Sequence, residues 1–457
     1  MPSATESALA RSSGPRRAKL ALIIAAIIIL VPGLVMAILY YRHGKAEARK
    51  RQAAKPSPPS ELTLSTARDL QATGDLTKAA EGFQQAIDHN PRDAQAYVGR
   101  ATVYARVGQY GKAAELAREA VKLAPDSAEA YENLADDYLG LQHPEDAHEI
   151  IREALARKLD APAFHEALYT IAFLAPLGPI KPAMADQLQW FARRPSYESY
   201  GLALASDTAA YSGQLAQSRE YTQRAVDSAV KQDDKLAAAL WQEHAAIREA
   251  AFGNMSDARR LAEAGIRLAP ANANVQVQAA LALALAANAA RAQSLAAQAE
   301  KAAPHDTQIQ SLWLTTIRAQ LALQQKDATA ALNDIGPALP LELGQIPSAS
   351  NLSCLYPTYV RGVAYLAADQ GMAAANEFQK ILDHSDIVGN CWTGALAHLG
   401  LARANIVASQ QIDTDDVDDA RLRAVMAYKE FLKLWKNADA DIPVLKQAQK
   451  ELANLQQ

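Results

Sequence analysis

Between Glu61 and Pro162, small and apolar residues return every 34 positions. Gly74 and Gly108 share this spacing, as do Pro91 and Pro125, Tyr97 and Tyr131, and Tyr104 and Tyr138. Ala79, Ala113 and Ala147 form one series, and Ala86, Ala120 and Ala154 another. Within each unit the apolar positions follow a helical period up to a glycine. A second helical period starts about three residues later and runs to a proline. The spacing therefore predicts helix pairs over Ser60–Asp93, Ala94–Ser127 and Ala128–Ala161. Alanines at the facing positions let two helices approach closely, and the tyrosines and Phe83 fill the gaps between units. Glycine ends the first helix in a conformation other side chains resist, and proline stops the second.

A 34-residue unit of two antiparallel helices resembles the tetratricopeptide repeat. The pattern loosens downstream but persists. Gly213, Ser218, Thr222 and Ala225 repeat the offsets of the first unit, and so do Gly253, Ala258, Ala262, Gly265 and Pro270. Proline-rich interruptions fall at Ala175–Ala185 and Gly336–Asn351. After the second, Gly362, Tyr365, Ala374, Phe378 and Ile381 return to repeat offsets, and a last unit runs from about Cys391 to Lys436. The expected fold is all-α, with a right-handed α-solenoid of roughly nine hairpins. Its parts are three repeats over 60–161, divergent hairpins over 162–340 and a C-terminal module over 341–457.

The first sixty residues read differently. Leu20–Tyr41 is an uncharged run of 22 residues. As a helix it spans roughly 33 Å, enough for a hydrocarbon core of about 30 Å. It is too long for the core of a secretory signal, about 7–15 residues. The expectation is a short tail over 1–19, a transmembrane helix over 20–41 and a basic, proline-rich linker over 42–59. The basic residues on its two sides lean slightly towards a cytoplasmic C-terminal side.

Composition narrows the chemistry. Hydrophobic residues make up 50% of the chain but aromatic ones only 6%, so alanine and leucine dominate, which favours helix. A net charge of −4 shows no basic domain of the kind nucleic-acid binding needs. No phosphate loop, dinucleotide fingerprint, kinase catalytic loop or metal triplet is spaced as its chemistry requires. His143 and His148 with Glu145, Asp146 and Glu149 read as a solvated helix start whose acids suit the helix dipole. The aspartates of Asp413–Asp419 lack the glycine and closing glutamate of a calcium loop. The five tryptophans are spaced as packing residues. No catalytic residue, cofactor site or metal site is assigned, and the chain reads as a non-enzyme.

Two features remain. Cys354 and Cys391 each stand just before the first helix of successive units, and stacked units put such ends side by side; they are a candidate disulfide for an oxidising compartment if their Cα atoms come within about 7 Å, the alternative being two buried thiols. First helices of stacked repeats line a concave surface. In the first three units Leu64, Arg68, Val98, Thr102, Glu132 and Asp136 are the candidate partner-binding residues. This set lacks the lysines and asparagines that clamp a chaperone's terminal carboxylate.

"LYPTYVRGVAYLAADQGMAAANEFQKILDH", "GALAHLGLARA" and "FLKLWKNADADIPVLKQAQKEL" carry a further likeness. With "YTIAFL" and "SDTAAYSGQLAQSREYTQRAVDSA", they resemble the C-terminal repeat region of acidobacterial multidomain serine/threonine protein kinases. The likeness runs from about Leu62 to Gln457. Such proteins place a kinase domain before the membrane span. Only about 19 residues precede the span here, too few for a catalytic domain, so kinase activity is not carried over. The layout implies a bacterial cytoplasmic membrane, crossed once, with the repeats outside the cytoplasm. Both cysteines and the acidic insert depart from the resemblance. The expected function is a membrane-anchored, non-catalytic scaffold that binds a protein or peptide partner. The alternative is an orphan sensory module that binds a small ligand and signals through a separate kinase.

Overall fold

The computed structural model describes residues 64–175, 182–347, 352–411 and 417–456. The predicted transmembrane segment 20–41 lies outside these residues. Among them no helix is long and apolar enough to cross a membrane. Residues 62–457 form one compact unit.

The described residues are helical with no strand, and the helices come in consecutive pairs. They are α1 (Leu64–Ala72) with α2 (Leu76–His89), α3 (Ala94–Arg106) with α4 (Tyr110–Leu123), and α5 (Ala128–Gly140) with α6 (Pro144–Ala156). Next come α7 (Pro162–Leu174) with α8 (Pro182–Ala192), α9 (Glu198–Tyr211) with α10 (Leu215–Lys231), and α11 (Lys235–Phe252) with α12 (Met255–Leu268). Then follow α13 (Ala273–Leu285) with α14 (Ala289–Ala302), and α15 (Leu314–Gln324), preceded by a π turn at Ile309–Trp313, with α16 (Ala328–Ile335). The last are α17 (Tyr356–Ala367) with α18 (Gly371–Asp383), the short α19 (Ser385–Val388), α20 (Trp392–Ser409) with α21 (Val417–Leu434), and α22 (Pro443–Leu455). This is a tetratricopeptide-like solenoid of ten pairs among the described residues, against the roughly nine expected.

Local chemistry accounts for the helix ends. Asp75, Asp93, Ser127, Asp234, Asn272 and Asp327 each accept a hydrogen bond from a backbone N–H in the first turn that follows. Pro144, Pro162 and Pro443 occupy the first turn, where a missing N–H costs nothing. Packing between pairs uses rings set into glycine notches. A Cβ on Gly99 would lie 2.3 Å from the Phe83 ring, and one on Gly400 2.5 Å from the Phe378 ring.

The expected open concave face is largely absent. Every residue from Val275 to Ala284 in α13 is buried, and α11 and α20 are buried over most of their lengths. In α13 the sequence is apolar nearly all round and has no solvent face to offer, whereas in α11 polar residues such as Glu243 and Arg248 are themselves buried. The solenoid coils tightly enough that one superhelical turn touches the next. Thr307 N–H donates to Gly74 O at 2.9 Å, joining pair 1 to pair 8. Gln345 N–H donates to Ala105 O at 3.0 Å, joining pair 2 to the approach to pair 9. Asp439 N–H donates to Gly213 O at 3.0 Å. Loops of the later pairs thus cover the intra-pair turns of the earlier ones.

Candidate interaction surface

The six residues expected to face a partner have different fates. Arg68 is exposed and donates to the Gln95 carboxamide of the next pair. Leu64 is half-buried beside the core of the first pair. Val98 is 2% exposed and packs with Ala120 and Ala130, so it is a core residue and offers no surface. Thr102 Oγ1 donates to Val98 O at 3.0 Å and accepts from Asn133 Nδ2 at 2.9 Å. Asp136 Oδ2 accepts from Gln345 Nε2 at 2.9 Å, so part of its capacity is taken by the chain itself. Glu132 is half-buried with no hydrogen bond or ion pair among the described residues.

Glu132 and Asp136 stand on α5, and Glu166 stands beside them on α7. Glu166 is a member of this surface that the six-residue set missed. Burial, then the Asp136 and Glu132 charges, pushes its carboxyl up to about 8. Burial and Glu132 raise Asp136 to about 7, against a lowering by Gln345. Burial and Glu129 raise Glu132 as well. The period itself could have found Glu166, since it lies 34 positions after Glu132. Like charges along adjacent first helices give this face an acidic character with restricted water access.

A second concavity lies among the late pairs. A groove of about 630 Å³ between α18, α20 and α21 is lined by Met372, Leu401, Met426 and Ala427, with Arg423 and Glu430 among its polar groups. Met372 is 55% and Met426 58% exposed, which marks this groove as an unusual apolar stretch of surface.

Cys354 and Cys391 are joined by a disulfide with Cα atoms 5.6 Å apart. Trp241, Trp313, Trp392 and Trp435 are buried, while Trp190 is half-buried between the His165 ring at 3.9 Å and the Arg194 guanidinium at 3.8 Å. The His143 ring pairs with Asp146, at 3.3 Å, across an exposed helix start. Among the described residues no group of three or more histidine, cysteine, aspartate or glutamate side chains is placed to hold a metal ion. Residues 412–416 of the acidic insert lie outside the described residues.

No curated protein matches the sequence. Among solved structures the chain is similar to yeast Tom70, at 13% identity over 86% of this chain and 94% of that one, with a TM-score of 0.36. It is similar to PilW, a type IV pilus biogenesis factor, at 20% identity over 54% of this chain and 95% of that one, with a TM-score of 0.28. A tetratricopeptide repeat protein from Parabacteroides merdae is 14% identical over 75% of this chain and 97% of its own, with a TM-score of 0.25. Residues 64–128 match the family model for the tetratricopeptide repeat, so the chain carries tetratricopeptide repeats over its first described pairs.

Proposed function

We propose that this chain is a non-catalytic interaction scaffold that binds a protein or peptide partner on the first-helix face of pairs 1–4. The observation that carries this reading is the contrast along the inner face. First helices of pairs 6, 7 and 10 are buried nearly all round, whereas Arg68, Thr102, Glu132, Asp136 and Glu166 keep solvent contact on the early pairs. Stacked repeats use that face for recognition when it is open. Residues 20–41 would anchor the chain in a bacterial cytoplasmic membrane. The Cys354–Cys391 disulfide supports an oxidising, extracytoplasmic side for the repeats.

Photo-cross-linking from positions 68 and 132 in cells tests the reading. The expected result is one main partner, lost on Glu132→Lys with Glu166→Lys. Cross-links that come only from convex-face positions would overturn the placement. Labelling of substituted cysteines with a membrane-impermeant maleimide in intact cells or spheroplasts tests the side. The groove beside Met372 and Met426 favours a second reading, a sensory module for a small apolar ligand. A thermal-shift screen that finds a stabilising small molecule, with protection abolished by Met426→Asp, would support it.

A further inference from the structure

The two cysteines of the sequence lie in two late loops, and the second of these loops meets the first superhelical turn. Cys354 precedes α17 and Cys391 precedes α20. Around the disulfide the two loops are tied together. Ser353 N–H donates to Ile387 O at 3.1 Å, and Thr393 Oγ1 donates to Cys354 O at 2.8 Å. The second loop then grips the first turn. Asn390 Nδ2 donates to Leu204 O at 3.0 Å and to Thr208 Oγ1 at 2.9 Å on α9, and α19 lies against α5 and α7. Both loops hold positive φ angles, at Leu355 (47°) and Gly389 (55°). For a leucine such a conformation persists only where its surroundings over-determine it. The bond beside it is one such determinant. The two residues also differ in access, since Cys391 is 3% exposed and Cys354 only half-buried.

We infer that Cys354–Cys391 is a redox latch, opened by a dithiol reductant, whose opening frees the 385–391 loop from the first superhelical turn. A thiolate of the reductant attacks Cys354 Sγ, the sulfur–sulfur bond breaks, and Cys391 leaves as a thiolate that takes up a proton. The reductant's second thiol, as its thiolate, attacks the mixed disulfide. Cys354 is released as a thiolate that is then protonated, and the reductant departs as a disulfide. Two electrons pass to the protein, and all atoms are accounted for. The latch differs from a purely local staple because its loop carries the Asn390 contacts across turns. Opening it uncovers faces of α5, α7 and α9 that the loop now covers.

Hydrogen–deuterium exchange on the full-length chain, oxidised and after dithiothreitol, tests the latch. Amides of 385–392 and 204–210 are expected to exchange at least about tenfold faster on reduction. The Gly74–Thr307 contact, which does not depend on the latch, is expected to keep its protection. No change at 204–210 overturns the proposal, and so does a uniform rise along the chain, which would mark global loosening. The Cys354→Ser, Cys391→Ser double variant should match reduced wild type with or without dithiothreitol. A variant that keeps the oxidised pattern overturns the latch, and should it fail to fold, reduction of the wild type decides alone. A dithiol oxidoreductase whose resolving cysteine is replaced by serine should be captured on Cys354. Capture on Cys391 overturns the order of attack.

Discussion

At Gly253 the backbone has φ 95°, and a Cβ would lie 2.8 Å from Pro443 Cβ. The residue therefore meets two demands at once, a left-handed turn and a close approach by the next superhelical turn. Gly74, Gly108 and Gly213 are in the same position, against Asp306, Gly344 and Ala438. Turns without glycine also adopt positive φ, at Ala287 (56°), Lys326 (61°) and Asp369 (53°), and these residues are exposed. Within the helix pairs, glycine thus marks the intra-pair turns that another part of the chain covers. Two substitutions should then have opposite signs. Gly253→Ala is expected to lower stability by about 2–3 kcal/mol, from left-handed strain and overpacking. Ala287→Gly is expected to raise it by up to about 1 kcal/mol, because strain is relieved with no neighbour to disturb. Urea denaturation of both variants checks the pair.

Between α9, α10 and α11 the packing is polar in its centre. Arg248, 2% exposed, donates from Nη1 to Asp207 Oδ1 at 2.9 Å and from Nη2 to Thr222 Oγ1 at 3.0 Å and Ser206 Oγ at 3.2 Å. Removing one partner of such a buried pair strands the rest, so Arg248→Ala is expected to cost about 3–5 kcal/mol in urea denaturation. On the same helix, Glu243 is fully buried against Gly265, with no ion pair among the described residues. Burial chiefly, and the Glu263 charge next, hold its carboxyl well above the usual range. The folded state therefore binds a proton that the unfolded state has lost above its ordinary value of 4.5. Stability from this group is present below that value and falls as pH rises towards the folded pKa. Glu243→Gln removes the titration. Its stability relative to wild type is expected to improve as pH rises above 4.5, and a flat difference would contradict the assignment. Asp136 and Glu166, raised to about 7 and about 8, add slope of the same sign to both proteins.

Across the whole unit, contacts between turns change how the solenoid should unfold. Open repeat arrays are stabilised by nearest neighbours and lose repeats piecemeal. Here Thr307 meets Gly74, Asp439 meets Gly213, and Trp435 Nε1 donates to Tyr211 O at 3.0 Å. Such links tie distant pairs into one cooperative body. Far-ultraviolet circular dichroism and tryptophan fluorescence are expected to give coincident denaturation curves, where an open array would separate them. The disulfide closes 37 residues of sequence. Its loss is expected to lower stability by about 3–4 kcal/mol, by releasing constraint on the unfolded chain. The reduced protein's denaturation midpoint measures this.

The helix pairs were legible because their causes are local. A 34-residue period, capping residues such as Asp75 and Ser127, and prolines at 91, 125 and 144 act within a few turns of chain. Even the burial of α13 is written in "ANVQVQAALALAL", which has no polar stripe wide enough to face water. Glu166 was equally legible, at the same repeat position as Glu132. The tertiary structure decided what those helices do. Small rotations accumulate from pair to pair, and only their sum brings residue 74 to residue 307 or residue 213 to residue 439. That sum buries the inner face of the later pairs and sets Gln345 on Asp136. It leaves the exposed first-helix surface to the early pairs. No local pattern encodes it, because each contact joins stretches whose own periodicity is satisfied without the other.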